Sequence, residues 1–170
     1  MGGRAKWWVM ASILAAALWA AGSSRAEEEA QARTFNSAVA FDVYAVIVIG
    51  EGRQLVGYTP SERPLTIPPC RWWYVEPRPP VDMEKVRQEV EAQGIPALRL
   101  THAADADLEH LKGLTGLQSL DLTDTQVTDA SLEHLKGLTA LRRLYLMYTQ
   151  VTDAGVERLK KSLPNVNVDR

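Results

Sequence analysis

The sequence predicts an α/β fold in which short strands and short helices alternate in a stacked array, preceded by a small β-rich region. Residues 117–136 recur, with small changes, at residues 141–160, a step of 24 residues. An earlier copy at residues 105–117 matches residues 129–141 at 11 of 13 positions. Ahead of the array, a run rich in β-branched and aromatic side chains indicates a further strand.

Each repeat is predicted to supply one short strand. Leu120 and Leu122 alternate with Ser119 and Asp121, so the leucines share one face and the polar side chains share the other. The strand of the earliest copy, residues 98–100, lies two residues closer than the period requires. We therefore expect about three repeats, the first of them irregular.

A threonine-aspartate pair follows each of the two later strands, at residues 128–129 and 152–153. Threonine hydroxyls cap helix N-termini and carboxylates stabilise the first turn, so a short helix or a 3₁₀ turn is predicted there. The aspartates at this position are interpreted as capping carboxylates of their own helices rather than as a calcium ladder. They are Asp105, Asp129 and Asp153.

Both ends of the array need a cover, because one unit cannot bury both of its leucine faces. Residues 81–94 predict a capping helix with apolar residues on one face and Gly94 at its end. At the other end, Val166 and Val168 keep the apolar rhythm and predict a closing strand.

The spacing L-x-x-L-x-L-x-x-T-x-V within residues 95–170 resembles the leucine-rich repeat, with Thr125 and Thr149 where that family usually has Asn or Cys. The resemblance implies a short solenoid with parallel strands on its concave face and short helices on its convex face. We expect both threonines to turn inward and to bond loop backbone groups. The threonine-aspartate-alanine variant is similar to the repeats of F-box leucine-rich repeat proteins and of bacterial exported proteins. No F-box helices precede it, so only the architecture and the idea of protein recognition carry over.

In leucine-rich repeat proteins, the residues that alternate with the buried strand leucines point into the concave face. The resemblance therefore implies a binding surface there, with ordinary solvated strand residues as the alternative. Arg99 and Asp121 are expected to pair across neighbouring strands, with Tyr145 next in the row. The candidate partner-binding residues are Arg99, Thr101, Ser119, Asp121, Thr123, Arg143, Tyr145 and Met147.

Residues 1–26 have the pattern of a secretory signal peptide. Arg4 and Lys6 precede an uncharged, largely apolar run at residues 7–22, and cleavage is predicted after Ala26. The run is short for a bilayer-spanning helix, which needs about 20 residues, so an uncleaved membrane anchor is the alternative. Cleavage would take the formal charge from −2 to −5, which argues against a nucleic-acid partner.

Residues 27–80 form a region whose fold the sequence leaves open. The β-rich run at residues 38–49 and the segment 54–58 are predicted to pair as a hairpin, and the G-E-G sequence between them fits a turn better than a phosphate-binding loop. Trp72 and Trp73 belong to a dense aromatic cluster ahead of the capping helix. They are candidate partner contacts, or they cover the end of the first repeat.

No pattern in the sequence predicts a catalytic, cofactor or metal site. His110 and His134 recur at the repeat period, and Arg158 takes the same position in the last copy, as expected for a solvated helical face. The single cysteine, Cys70, excludes an intramolecular disulfide and is either buried and inert or a free thiol.

These patterns favour a secreted or periplasmic binding module without enzymatic activity, whose partner is another protein or a component of the cell envelope. Membrane association is expected only if the signal segment is retained. One alternative is a structural envelope component that associates with its own copies. Another is a hydrolase with its site in residues 31–80. The sequence predicts no particular oligomeric state.

Overall fold

The computed structural model describes residues 32–46, 53–68, 70 and 72–170. The predicted signal peptide and the G-E-G segment at residues 50–52 lie outside these ranges. The described chain is a mixed α/β structure with few helices, built around a seven-stranded, mostly parallel sheet. A second sheet has two strands.

The strands of the described ranges are short, and most helices span one or a few turns. The strands are β1 Arg33–Phe35, β2 Phe41–Val46, β3 Arg53–Tyr58, β4 Leu65–Ile67, β5 Trp72–Pro77, β6 Ala97–Arg99, β7 Ser119–Asp121, β8 Arg143–Tyr145 and β9 Asn167–Asp169. The helices are α1 Met83–Gln93, α2 Asp105–Leu108, α3 Leu132–Leu135 and α4 Asp153–Ser162, with a 3₁₀ helix at Glu109–Leu111. The large sheet has the order β3-β2-β5-β6-β7-β8-β9, and β1 pairs with β4 in the small one.

Antiparallel and parallel pairing meet within the large sheet. β2 pairs antiparallel with β3, as predicted for these two segments, and also with β5. β5 then pairs in parallel with β6, where Val75 lies opposite Leu98. The remaining neighbours are all parallel. The hairpin region and the repeated segment are therefore joined by main-chain pairing, although their compositions differ.

The repeat period sets the register of the parallel strands. Leu98, Leu120, Leu144 and Val168 occupy one row, separated by 22, 24 and 24 residues. The spacing from Leu98 to Leu120 is two residues shorter than the 24-residue period, as in the sequence repeat. The segment predicted as a closing strand is β9, which pairs with β8 at the edge of the sheet.

The helices and the β1–β4 ribbon cover the leucine-bearing face of the sheet. Leucines of the strands and of the helices belong to one buried hydrophobic cluster. Phe35 of β1 belongs to the same cluster, with its ring centroid 6.4 Å from that of Phe41 and 5.5 Å from that of Trp73. The ribbon thus covers the antiparallel half of the sheet, and the helices cover the parallel half.

Helix α1 follows the end of β5 at the position where the sequence predicts a capping helix. The Asp82 side chain accepts a hydrogen bond from the Lys85 N–H at 3.2 Å, which satisfies one of the free donors of the first turn. Gly94 ends the helix with φ 60°, a left-handed conformation that glycine adopts without a steric cost. The apolar face of α1 buries Met83, Val86 and Val90.

The two inward threonines bond the backbone as predicted. The Thr125 hydroxyl donates to the Leu122 carbonyl at 2.6 Å, and the Thr149 hydroxyl donates to the Leu146 carbonyl at 2.7 Å. Each bond closes the turn that follows a strand.

The recurring aspartates link neighbouring units, so their interpretation as caps of their own helices is incomplete. Asp105 accepts hydrogen bonds from the Thr128 N–H at 2.7 Å and from the Thr128 hydroxyl at 2.6 Å. Asp129 accepts the same two bonds from Thr152, both at 2.7 Å. Since each pair joins one unit to the next, we call these contacts the Asp–Thr clamps.

The clamps favour the ionised form of both carboxyl groups. Burial of Asp105 opposes ionisation, but the hydrogen bonds from Thr128 outweigh it and hold the pKa of Asp105 below its ordinary value. The Thr152 N–H, followed by the Thr152 hydroxyl, lowers the pKa of Asp129. Both groups therefore accept hydrogen bonds as carboxylates at neutral pH.

Gly155 is required by the second clamp. It lies in the first turn of α4, whose N-cap is Thr152, and it occupies the repeat position of Asp107 and Ser131. A Cβ atom on Gly155 would overlap the Asp129 carboxylate. The absence of a side chain thus lets that carboxylate approach the start of α4.

Replacing Asp105 with alanine is expected to lower the free energy of unfolding by about 1–3 kcal/mol, because the Thr128 N–H loses a charged acceptor. Asp153→Ala is the matched control, since Asp153 has the same repeat position in the last copy and contacts the exposed Arg170. Its loss should cost at most about 1 kcal/mol. Urea unfolding of both variants measures the difference, and equal losses would contradict the clamp.

Gly155→Ala is expected to destabilise the protein, although alanine is favoured over glycine in helices by about 0.5–1 kcal/mol. The added methyl group displaces the Asp129 carboxylate. Thermal unfolding should show a lower melting temperature for Gly155→Ala, but no further loss when the same change is made in an Asp129→Ala background. A destabilisation that persists in that background would assign the effect to another contact.

Candidate binding surface

The face of the seven-stranded sheet opposite the helices is the candidate binding surface, and we call it the open face. Neighbouring side chains of a strand point to opposite faces, so the residues that alternate with the core residues lie here. The helices and the β1–β4 ribbon pack on the other face, where the core lies. The antiparallel strands β3, β2 and β5 form one half of it, and the parallel strands β6 to β9 form the other.

The antiparallel strands give the open face an aromatic half. Tyr44 of β2 and Tyr74 of β5 are register partners, and their rings stack with centroids 4.9 Å apart and 14° between the ring planes. On β3, Leu55 and Tyr58 are 52% and 57% exposed. Trp72 lies two residues before Tyr74 on the same strand and face. These five residues define the aromatic half.

Arg78 holds the outer side of the aromatic half together. Its Nε and Nη2 atoms donate to Asp42 Oδ1 at 2.7 and 2.6 Å, and its guanidinium carbon lies 4.7 Å from the centroid of the Tyr58 ring. The hydrogen bond with Asp42 raises the pKa of Arg78 above its ordinary value. Arg78 is therefore a cation that contacts both the Asp42 carboxylate and the Tyr58 ring.

The parallel strands give the open face a polar half. Arg99 and Asp121 are register partners, and Arg99 Nε lies 3.6 Å from Asp121 Oδ2, which confirms the predicted pairing. Asp121 Oδ1 accepts a hydrogen bond from the Thr123 N–H at 2.9 Å, and Tyr145 is the next residue in the row. Arg99 Nε is buried, and a distance of 3.6 Å is too long for a hydrogen bond. This atom therefore has no hydrogen-bond partner among the described residues.

A shallow groove of about 220 Å³ lies where the two halves meet. Trp72, Tyr74 and Tyr145 line it with rings, and Arg99 and Asp121 line it with charged groups. Beside the groove, the guanidinium carbon of Arg143 lies 5.5 Å from the centroid of the Trp72 ring, within the range of a cation–π contact. The groove therefore offers flat apolar surface next to hydrogen-bonding groups.

The predicted contact residues differ in exposure and in the face of the sheet on which they lie. Ser119 belongs to the open face, but it is only 4% exposed at the floor of the groove. Trp73 is 7% exposed and packs on the core side, because strand alternation directs it away from Trp72. Thr101 and Thr123 are half-buried beyond the strand ends, where Met147 is 40% exposed.

The sequence argument did not select Tyr44, Leu55, Tyr58 and Tyr74. The alternation of β2, in which Phe41 and Val43 are core residues, already places Tyr44 on the other face. What the alternation does not predict is that β5 joins the hairpin to β6. That pairing brings the aromatic residues onto the same face as the repeats.

The histidines, acidic residues and cysteine of the described ranges do not form a second candidate site. His110 Nδ1 lies 3.5 Å from Glu84 Oε2 on the helical side, and hydrogen bonds from Arg87 lower the pKa of Glu84 to about 2. No group of three or more His, Cys, Asp or Glu residues in the described ranges has a geometry that would hold a metal ion. Cys70 is a half-buried free cysteine, and burial raises the pKa of its thiol.

Comparison with known proteins gives no further assignment. No protein-family model matches the chain, and no curated protein matches it significantly in sequence. Among the helices that the structure describes, none has the length and apolar character needed to cross a membrane.

The opposite roles of the two tryptophans predict different costs of truncation. Trp73→Ala should lower the free energy of unfolding by about 3–5 kcal/mol, because it leaves a cavity against Phe35. Trp72→Ala should cost about 1 kcal/mol, since it removes a half-exposed ring and one cation–π contact. Guanidinium unfolding of both variants is the measurement. Similar losses would mean that Trp72 is also a core residue.

Proposed function

We propose that this chain is an exported protein-recognition module, built on a short leucine-rich repeat array, whose protein partner binds the open face. The proposal unites the repeat pattern, the signal-like N-terminal segment and the residues of the open face. It takes the parallel strands and the antiparallel strands as one binding surface.

The distribution of the aromatic residues is the observation that carries the proposal. Phe35, Phe41 and Trp73 are buried in the core. Four tyrosines and Trp72 lie instead on the open face, where they accompany three arginines. Aromatic residues and arginine are enriched in protein interfaces and among the residues that dominate binding energy. The open-face set is Tyr44, Tyr58, Trp72, Tyr74 and Tyr145 with Arg78, Arg99 and Arg143.

The width of the sheet supports a protein partner. Specific complexes bury about 800 Å² on each partner, which three short strands alone would not supply. Seven strands at a spacing of about 4.8 Å extend over about 29 Å. The hairpin therefore contributes more than a cover for the first repeat, since it widens the surface and adds its aromatic half.

The repeat array is supported by the agreement between sequence and register. The strands β7, β8 and β9 follow one another at the 24-residue step of the sequence repeat, and their leucine or valine residues share one row. Two clamps at the same step join neighbouring units. Contacts that recur at a fixed step between neighbours are typical of stacked repeats.

Export is supported by the sequence of residues 1–26 alone, with its two basic residues, its apolar run and the alanine at the predicted cleavage site. An exported module would meet its partner in the periplasm or outside the cell. The alternative of self-association through both neighbouring tryptophans loses support, because Trp73 belongs to the core.

Capture of partners from a cell-envelope extract tests the proposal. The parent protein is compared with Tyr145→Ala and with a triple variant, Trp72→Ala, Arg143→Ala and Tyr145→Ala. Interface residues of this kind contribute about 2 kcal/mol or more each, so Tyr145→Ala should weaken binding of a captured protein about 30-fold. The triple variant should capture none of it.

A variant of the helical side serves as the control. Glu109, Glu133 and Lys136 lie on that side and are changed together to alanine, which alters charge without touching the open face. This control should capture the same protein as the parent. Equal capture by the open-face variants, with their fold verified by circular dichroism, would contradict the proposed site.

A further inference from the structure

Tyr148 combines a left-handed backbone conformation with a highly exposed aromatic side chain. Its φ is 58°, a left-handed conformation that is unusual for a bulky residue, and its side chain is 82% exposed. Asp124 occupies the same position one repeat earlier with φ 61°, and aspartate tolerates this conformation. Because Asp124 has the same conformation, the left-handed backbone belongs to this turn, and at Tyr148 it directs an exposed aromatic side chain away from the sheet edge.

An apolar pocket of about 410 Å³ opens at the same edge of the sheet, beyond the carboxyl ends of β5 and β6. Its floor consists of buried apolar side chains, and its rim carries Val81, which is 43% exposed, together with Thr101, His102 and Asp107. The floor residues are Pro77, Met83, Leu100 and Ala103. Tyr148 follows β8, two strands away from β6.

We propose that two copies of this chain associate about a two-fold axis normal to the sheet, so that Tyr148 of each copy enters the apolar pocket of the other. An axis at the carboxyl end of β7 exchanges the positions beyond β6 and β8, because these strands lie on either side of β7 at about 4.8 Å. The contact is then isologous and closed, as in most homodimers.

The chemistry of the pocket fits a tyrosine side chain. The apolar floor accommodates the ring, and the rim supplies an acceptor for the phenol O–H. Asp107 Oδ2 accepts a hydrogen bond from the Ala104 N–H at 2.8 Å, which leaves Asp107 Oδ1 as that acceptor. The exposed Met147 beside Tyr148 adds apolar contact area.

The same axis has a consequence for the open face. Rotation about the sheet normal keeps the open faces of both copies on one side of the dimer, and it places them next to each other. The dimer therefore extends the surface along the strand direction without covering it. This inference goes beyond the proposed function and does not depend on it, since self-association and partner capture are measured separately.

Sedimentation equilibrium of the purified full chain, kept in a non-ionic detergent because of its apolar N-terminal run, tests the dimer. Tyr148→Asn removes the ring and suits the left-handed conformation, so it should weaken self-association at least tenfold. It should not lower the melting temperature at concentrations where the parent is monomeric. Val81→Glu, which places a charge at the exposed rim, should weaken self-association similarly. Lys161→Ser, which changes an exposed residue near the end of α4 outside both the pocket and the open face, should leave it unchanged.

Three outcomes overturn the proposed dimer. A parent protein that stays monomeric throughout the concentration range excludes the dimer. Self-association that survives Tyr148→Asn assigns it to another surface. Species that grow beyond the dimer contradict the closed two-fold contact. A parent dimer that captures no envelope protein would refute the proposed function and leave this inference intact.

Discussion

Every repeated unit depends on its neighbours to bury its leucines. A single strand with its short helix leaves the leucine row exposed at both sides, and burial of one leucine is worth about 1.5–3 kcal/mol. The parallel register places Leu98, Leu120 and Leu144 in one row, so that each is covered by the units on either side. The parallel strands and their helices therefore share one hydrophobic core instead of forming separate units.

Stacking requires that the polar groups between units are satisfied as well. The threonines after each strand bond the backbone within their own turn, whereas the Asp–Thr clamps bond across to the following unit. Because a charged acceptor holds both the N–H and the hydroxyl of one threonine, the spacing of neighbouring units is fixed by hydrogen bonds as well as by leucine packing. At the second clamp, the missing side chain of Gly155 leaves room for the Asp129 carboxylate.

The helices pack on one face of the parallel strands, and the candidate binding surface is the opposite face of the sheet. The hairpin extends that face because β5 accepts β2 on one side and β6 on the other. Alternation then sorts the aromatic residues, with Phe41 and Trp73 in the core and Tyr44 and Trp72 on the open face. The surface proposed for binding is thus a consequence of the way the core is built.

The sequence by itself determined the local elements. Alternation and the 24-residue period predicted the strands of residues 95–170, the helix before them, the hairpin and the Arg99–Asp121 pair, since each follows from spacing along the chain. Only the tertiary structure decided which distant segments meet. The stacking of Tyr44 on Tyr74, the position of Arg143 over Trp72 and the clamp from Asp105 to Thr128 all cross between separate elements. Local periodicity specifies the face on which a side chain lies, but strand order and register specify what it contacts there, and these are set by the packing of the whole sheet.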